Sequence, residues 1–174
     1  MKRKILSIFL SISIIFIAIP FTQINVFAAT YSGACGSNLT WTYNDSTGTL
    51  TISGTGAMYD YVGDDRPWED YEDDIKNVAI NNGVTTIGDY AFVSCNSLTS
   101  ITIPNGVTLI GNYAFDFCNK LTSVTIGESV TLIGEYAFCD CENLKSITIP
   151  GNVTTIGGYA FSSCFSLENV IITN

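Results

Sequence analysis

GDYAFVSCNSL, residues 88–98, returns as GNYAFDFCNKL at 111–121, as GEYAFCDCENL at 134–144 and as GGYAFSSCFSL at 157–167. Each copy follows the last by 23 residues, and the register extends beyond the quoted block. Val84, Val107, Val130 and Val153 open the four units, with Ile87, Ile110, Ile133 and Ile156 three residues later. Phe92, Cys95, Leu98, Ile101 and Ile103 recur at the same spacing, with Val for Ile at positions 124 and 170. A fixed period between 20 and 50 residues is the mark of a stacked array. Ordering 23 residues costs more free energy than the apolar side chains of one unit return, so a unit folds only against its neighbours.

Within a unit, LTSITI (98–103) alternates β-branched and polar residues and stops at Pro104-Asn105-Gly106, which predicts a short strand and a turn. Copies in register predict a parallel sheet. IGDYAF places apolar residues too close together for a strand and suits one short helical turn. Subtracting 23 recovers a degenerate unit, in which Ile75, Val78 and Ile80 fall under Leu98, Ile101 and Ile103. Ahead of it, Leu39–Tyr43 and Leu50–Ile52 alternate around a Gly-ending loop at 44–48, a hairpin placed to cover the open end of the core.

The pattern IGxYAFxxCxxLxxIxIP, preceded by V-x-x-I, resembles the BspA-like (treponemal-type) leucine-rich repeat across residues 84–174. The proline landmark departs from it, with Gly127 and Thr173 where Pro104 and Pro150 stand elsewhere. CGSNLTWTY…GTLTISGTGAMYDY…PW resembles the N-terminal cap of bacterial members. The fold expected is a β-rich α/β repeat. It is a right-handed leucine-rich-repeat solenoid with a parallel sheet on its concave side, short helical turns on the other and an N-terminal β-hairpin cap. The expected divisions are a signal peptide at 1–28, the hairpin cap at 29–60, a degenerate first repeat with an acidic loop at 61–83 and four repeats at 84–174. The resemblance also implies a surface protein of the adhesin type, whose ligand is an extracellular protein bound along the concave face.

Met1-Lys2-Arg3-Lys4, an uncharged run from Ile5 to Ile19 and Val26-Phe27-Ala28 read as a secretory leader cut after Ala28. The run is shorter than a spanning helix needs and ends at Pro20, so no membrane span is expected after cleavage. Removal of Lys2, Arg3 and Lys4 takes the net charge from −9 to −12. That surface repels phosphate backbones, so nucleic acid is excluded as a partner class.

The chain has no histidine and no Walker, Rossmann or G-x-S-x-G spacing, so no catalytic residue and no cofactor are expected. Eight carboxylates crowd positions 60–74, but their spacing matches no calcium loop, and the expected metal content is none. The ladder of Cys95, Cys118, Cys141 and Cys164 reads as buried thiols pointing in parallel, while the state of Cys35 and Cys139 stays open.

Three surfaces remain as candidates. Strand alternation turns Ser100, Ser123 and Ser146 outward beside Thr102, Thr125 and Thr148, with Thr122 and Lys145 along the border, as a weakly charged face for a protein ligand. Tyr90, Tyr113, Tyr136 and Tyr159 form an aromatic row, the alternative site for a surface glycan. Phe165, Ile171 and Ile172 give the last rung an apolar edge suited to homo-association, or to continuation of a longer array. A purely structural spacer is the remaining reading.

Overall fold

The computed structural model describes residues 28–173. The basic and apolar leader lies outside the described residues. Strands β1 (Thr30–Gly36), β2 (Leu39–Asn44) and β3 (Thr49–Gly54) form an antiparallel meander. β2 and β3 are the hairpin expected from their alternation, and every second residue of β2 is buried: Leu39, Trp41 and Tyr43. β1 has no comparable alternation and joins as an edge. After β4 (Gly56–Ala57) comes a short 3-10 helix (Glu69–Asp74), followed by β5 (Asn77–Ile80), which pairs in parallel with β3.

From Val84 onward each repeat contributes two strands. The V-x-x-I segments form β6 (Val84–Ile87), β8 (Leu109–Ile110), β10 (Leu132–Ile133) and β12 (Thr155–Ile156), one parallel sheet that begins at β4. The LTSITI segments form a second parallel sheet of β7 (Ser100–Thr102), β9 (Ser123–Thr125), β11 (Ser146–Ile149) and β13 (Asn169–Ile172). The first of these sheets was not expected from sequence, because V-T-x-I is too short for alternation to show. It forms because each rung aligns its backbone with the rung before.

The expected helical turns appear as successive i to i+3 bonds, such as Ala91 to Gly88, Val93 to Tyr90 and Cys95 to Phe92. They never merge into a helix. Tyr90, Tyr113, Tyr136 and Tyr159, with Ser94, Phe117, Asp140 and Ser163, adopt left-handed φ values of 51–58° and interrupt each turn. The interruption points alternate N–H groups at the next rung: Tyr90, Phe92 and Ser94 donate to the carbonyls of Asn112, Ala114 and Asp116 at 2.8–2.9 Å. A third ladder of backbone hydrogen bonds thus closes each coil.

Identical residues stack between the ladders. Phe92, Phe115, Phe138 and Phe161 form a column with ring centroids 5.1–5.6 Å apart. Trp68 heads that column against Phe92 at 5.8 Å, and its Nε1–H donates to the Ala91 carbonyl at 2.9 Å. Three of the four ladder cysteines also bond across rungs, with Cys118, Cys141 and Cys164 donating to the carbonyls of Phe92, Phe115 and Phe138 at 3.2–3.3 Å. A thiol there supplies both apolar volume and a weak donor. Among the described residues all six cysteines are free, and no helix is long and apolar enough to cross a membrane.

Candidate functional site

The Ser/Thr rows are exposed and in register. Ser100, Ser123, Ser146 and Asn169 pair directly across the second sheet, as do Thr102, Thr125, Thr148 and Ile171, while Ile101, Val124 and Ile147 between them point into the core. Thr122 and Lys145 are exposed beside these rows. The Thr122 hydroxyl donates to the Thr99 carbonyl at 3.0 Å, so part of this border is spent on holding adjacent rungs together. The face carries hydroxyls at a regular strand spacing, with Lys145 as a single positive charge at its margin.

A groove of about 610 Å³ opens at the C-terminal ends of β5, β7 and β9. The sheet is interrupted there: β5 lies beside β7, yet no ladder joins them, and β5 is paired only on its β3 edge. Val78 and Ile80 supply apolar wall, Thr102 and Thr125 supply hydroxyls, and Asn105 and Glu128 form the rim. Asn105 is itself fixed, its Oδ1 accepting the Glu128 N–H at 3.0 Å. The arrangement suits a partner that presents apolar groups beside neutral hydrogen-bonding groups. Two of the eight face residues, Thr102 and Thr125, therefore line the groove, while Ser100, Ser123, Ser146 and Thr148 lie on the open sheet and Thr122 and Lys145 at its border.

The tyrosine row is built differently. Tyr90, Tyr113, Tyr136 and Tyr159 stack face to face with centroids 4.7–5.0 Å apart and interplanar angles of 4–15°. The spacing is that of the strands. Each ring covers its neighbour, so the row offers edges and hydroxyls, and only Tyr159, 67% exposed, leaves a broad surface open. Sugar stacking needs accessible ring faces, which three of these four rings give to one another.

The acidic segment is organised around one cation. Arg66, buried, donates to the Gly63 carbonyl at 2.7 Å and pairs with Glu72 at 2.6 Å. Burial pushes the Glu72 carboxyl above its ordinary range, against the pull of Arg66. Among the described residues this segment brings no three carboxylates within reach of one ion.

Such a grouping occurs elsewhere, on the turn side, where Asp116, Cys139 and Asp140 converge. Sequence reasoning set Cys139 aside and did not consider Asp116. The signal is in the alignment: position 93 of the first repeat corresponds to Asp116, Cys139 and Ser162, so an acid and a thiol stand on neighbouring rungs where the first repeat has Val93. Burial pushes the Cys95 thiol up to about 12 and the Cys35 and Cys164 thiols to about 11, so these sulfurs stay protonated at neutral pH.

The family model for the BspA type leucine rich repeat region matches residues 70–174 in six copies. Among solved structures, the chain is similar to a leucine-rich repeat protein from Eubacterium ventriosum, with 32% identity and a TM-score of 0.69 over 84% of this chain and 45% of that one. It is similar to the T. pallidum leucine rich repeat protein at 25% identity and a TM-score of 0.57, over 75% of this chain and 66% of that one. A Bacteroides capillosus leucine-rich repeat protein aligns at 28% identity and a TM-score of 0.50, covering 81% and 98%. The chain spans less than half the length of the first of these proteins and about two thirds of the second. No curated protein matches the sequence.

Proposed function

We propose, from the premise that this chain belongs to the BspA-type leucine-rich-repeat family, that it is a secreted, non-catalytic module for protein binding and adhesion. Its ligand is an extracellular protein, held along the Ser/Thr face and seated in the groove at the β5–β7 gap. The groove supports this reading, because it places apolar wall, hydroxyls and one fixed amide, Asn105, where the regular sheet gives way to a concavity. A protein partner offers those groups together, whereas a polysaccharide offers little apolar surface. The negative net charge favours partners that are basic or neutral.

An array of extracellular proteins printed beside polysaccharides tests the proposal. Protein hits are expected, with Thr125→Arg and Lys145→Glu each weakening them at least about tenfold while the unfolding midpoint moves by less than about 2 °C, since both side chains are exposed. Equal losses of folding and binding would contradict the assigned face. Polysaccharide hits lost in the Tyr113→Ala, Tyr136→Ala double variant would instead establish the glycan reading, and no hits of either kind would favour a spacer.

The last rung carries a second proposed interaction, homo-association. Among the described residues, Phe165 is 80% exposed, Ile171 and Ile172 are exposed with it, and β12 and β13 stand last in their sheets with one edge unpaired. An apolar open edge templates pairing with another chain. Sedimentation of this chain should show concentration-dependent dimers, which Phe165→Asn with Ile171→Thr returns to monomers. A monomer at all concentrations would remove this interaction.

A further inference from the structure

Asp116 is the one buried carboxylate of the described residues. It is only 7% exposed, and among the described residues its buried Oδ1 has no hydrogen-bond partner and the single ion pair, Arg66 with Glu72, involves neither it nor its neighbours. A buried carboxylate with no cation beside it and one oxygen left without a donor is costly. A valine or serine serves the same position in the first and fourth repeats, so the fold does not require an acid there.

The surroundings indicate what an acid can do. Asp116 and Cys139 occupy the same position on adjacent rungs, and Asp140 follows Cys139 at a left-handed φ of 51°. One oxygen of each carboxylate and the Cys139 Sγ all lie within 4.8 Å of one another, with Sγ donating to Asp140 Oδ2 at 3.1 Å. Asp116 and Cys139 are buried, while Asp140 is half-buried and opens the group to the surface. The backbone fixes both rungs: Asp116 N–H donates to the Tyr113 carbonyl, Cys139 N–H to the Tyr136 carbonyl and Phe117 N–H to the Cys139 carbonyl, at 3.0–3.3 Å.

We propose that Asp116, Cys139 and Asp140 form a binding site for a zinc-class divalent ion, with one coordination position open toward solvent. The donor set selects the ion. Calcium takes six to eight oxygens and has no use for sulfur, whereas a thiolate with two carboxylates suits zinc, which accepts sulfur and oxygen ligands tetrahedrally. Ligand atoms around tetrahedral zinc stand roughly 3.3–3.6 Å apart, so modest side-chain rotation closes the present group on an ion. The Cys139 thiol releases its proton to solvent as the metal–sulfur bond forms. A thiolate and two carboxylates then face two positive charges, and Asp116 gains the cation it lacks. Neither oxidation nor reduction is involved.

The test uses the reduced full chain titrated with Co²⁺, whose bond to a thiolate gives a charge-transfer band in the near ultraviolet, followed by displacement with Zn²⁺. One equivalent of Co²⁺ should produce the band and one equivalent of Zn²⁺ should remove it. Zinc at about 100 times its Kd should raise the unfolding midpoint by roughly 5–10 °C over chelator-treated protein. Cys139→Ser should abolish the band without loss of fold, because Ser162 already fills this position in the last repeat. Asp116→Asn should weaken Zn²⁺ at least about tenfold. Asp116→Val should remove the zinc response and raise the midpoint in chelator, as expected where an orphaned acid gives way to the residue of the first repeat. Cys164→Ser, a ladder variant, should keep the band. Absence of a band in the parent chain, or a band and affinity unchanged by Cys139→Ser or Asp116→Asn, would overturn the site.

Discussion

Trp68→Ala is expected to cost about 3–5 kcal/mol of stability, the range for removing a large aromatic from a packed interior. Trp68 is fully buried between the cap and the repeats. It meets Trp41 and Tyr61 edge to face at 5.9 and 5.6 Å, and lies flat on Phe92 at the head of the phenylalanine column. Alanine would leave a cavity at the junction and strip the Ala91 carbonyl of its donor. Because coupling in a stacked array runs between nearest neighbours, the damage should concentrate there, with amides of β3 and β5 exchanging faster than those of β9 and β11. Trp68→Phe separates the two contributions. It keeps most of the ring area and loses the hydrogen bond with a small part of the packing, so chemical denaturation should show a cost nearer about 1–2 kcal/mol. A loss below about 1 kcal/mol for the alanine variant would mean that the column does not depend on its first member.

Gly134→Ala is the second large effect, roughly 2–4 kcal/mol, for a reason unrelated to backbone freedom. A Cβ at Gly134 would stand 2.6 Å from the Asn112 nitrogen and 2.6 Å from the Gly111 carbonyl carbon, both main-chain atoms of the preceding rung. Backbone in a ladder cannot retreat as a side chain can, so the rungs must separate. Gly111 meets the same obstacle against Asp89 and Gly88. Gly158 is the internal control, since a Cβ there meets nothing within 4 Å and its alanine variant should fall within about 0.5 kcal/mol of the parent. Thermal unfolding of the pair decides the matter. Equal behaviour of the two variants would show that the rungs are not packed as closely as the geometry requires.

The close approach also explains why the glycine recurs in the sequence. A 23-residue repeat read from Val84 to Ile172 was enough to give the unit, the parallel strands at LTSITI, the inward Phe, Cys and Leu positions and the outward Ser and Thr rows. Each of these follows from local periodicity, which decides the face of the strand or turn a residue takes regardless of what lies beyond. The second ladder through Val84–Ile87 and its copies was not apparent, because four residues carry no readable alternation. Nor was the left-handed φ at Tyr90 and Ser94, since neither residue type advertises it.

Contacts between rungs belong to another class of information. That β5 pairs with β3 yet forms no ladder with β7 depends on how the cap sheet and the repeat sheet meet in space, and the groove beside Thr102 and Thr125 lies at that break. Whether tyrosines spaced 23 apart present their faces or cover one another depends on the 4.7–5.0 Å rise between them. The periodic sequence by itself thus determined the unit and its inward and outward faces. Only the tertiary structure decided that Asp116, an outlier in one copy, is buried against Cys139 and Asp140, because desolvation of a carboxylate is set by the rung stacked on it and by no residue near it in the chain.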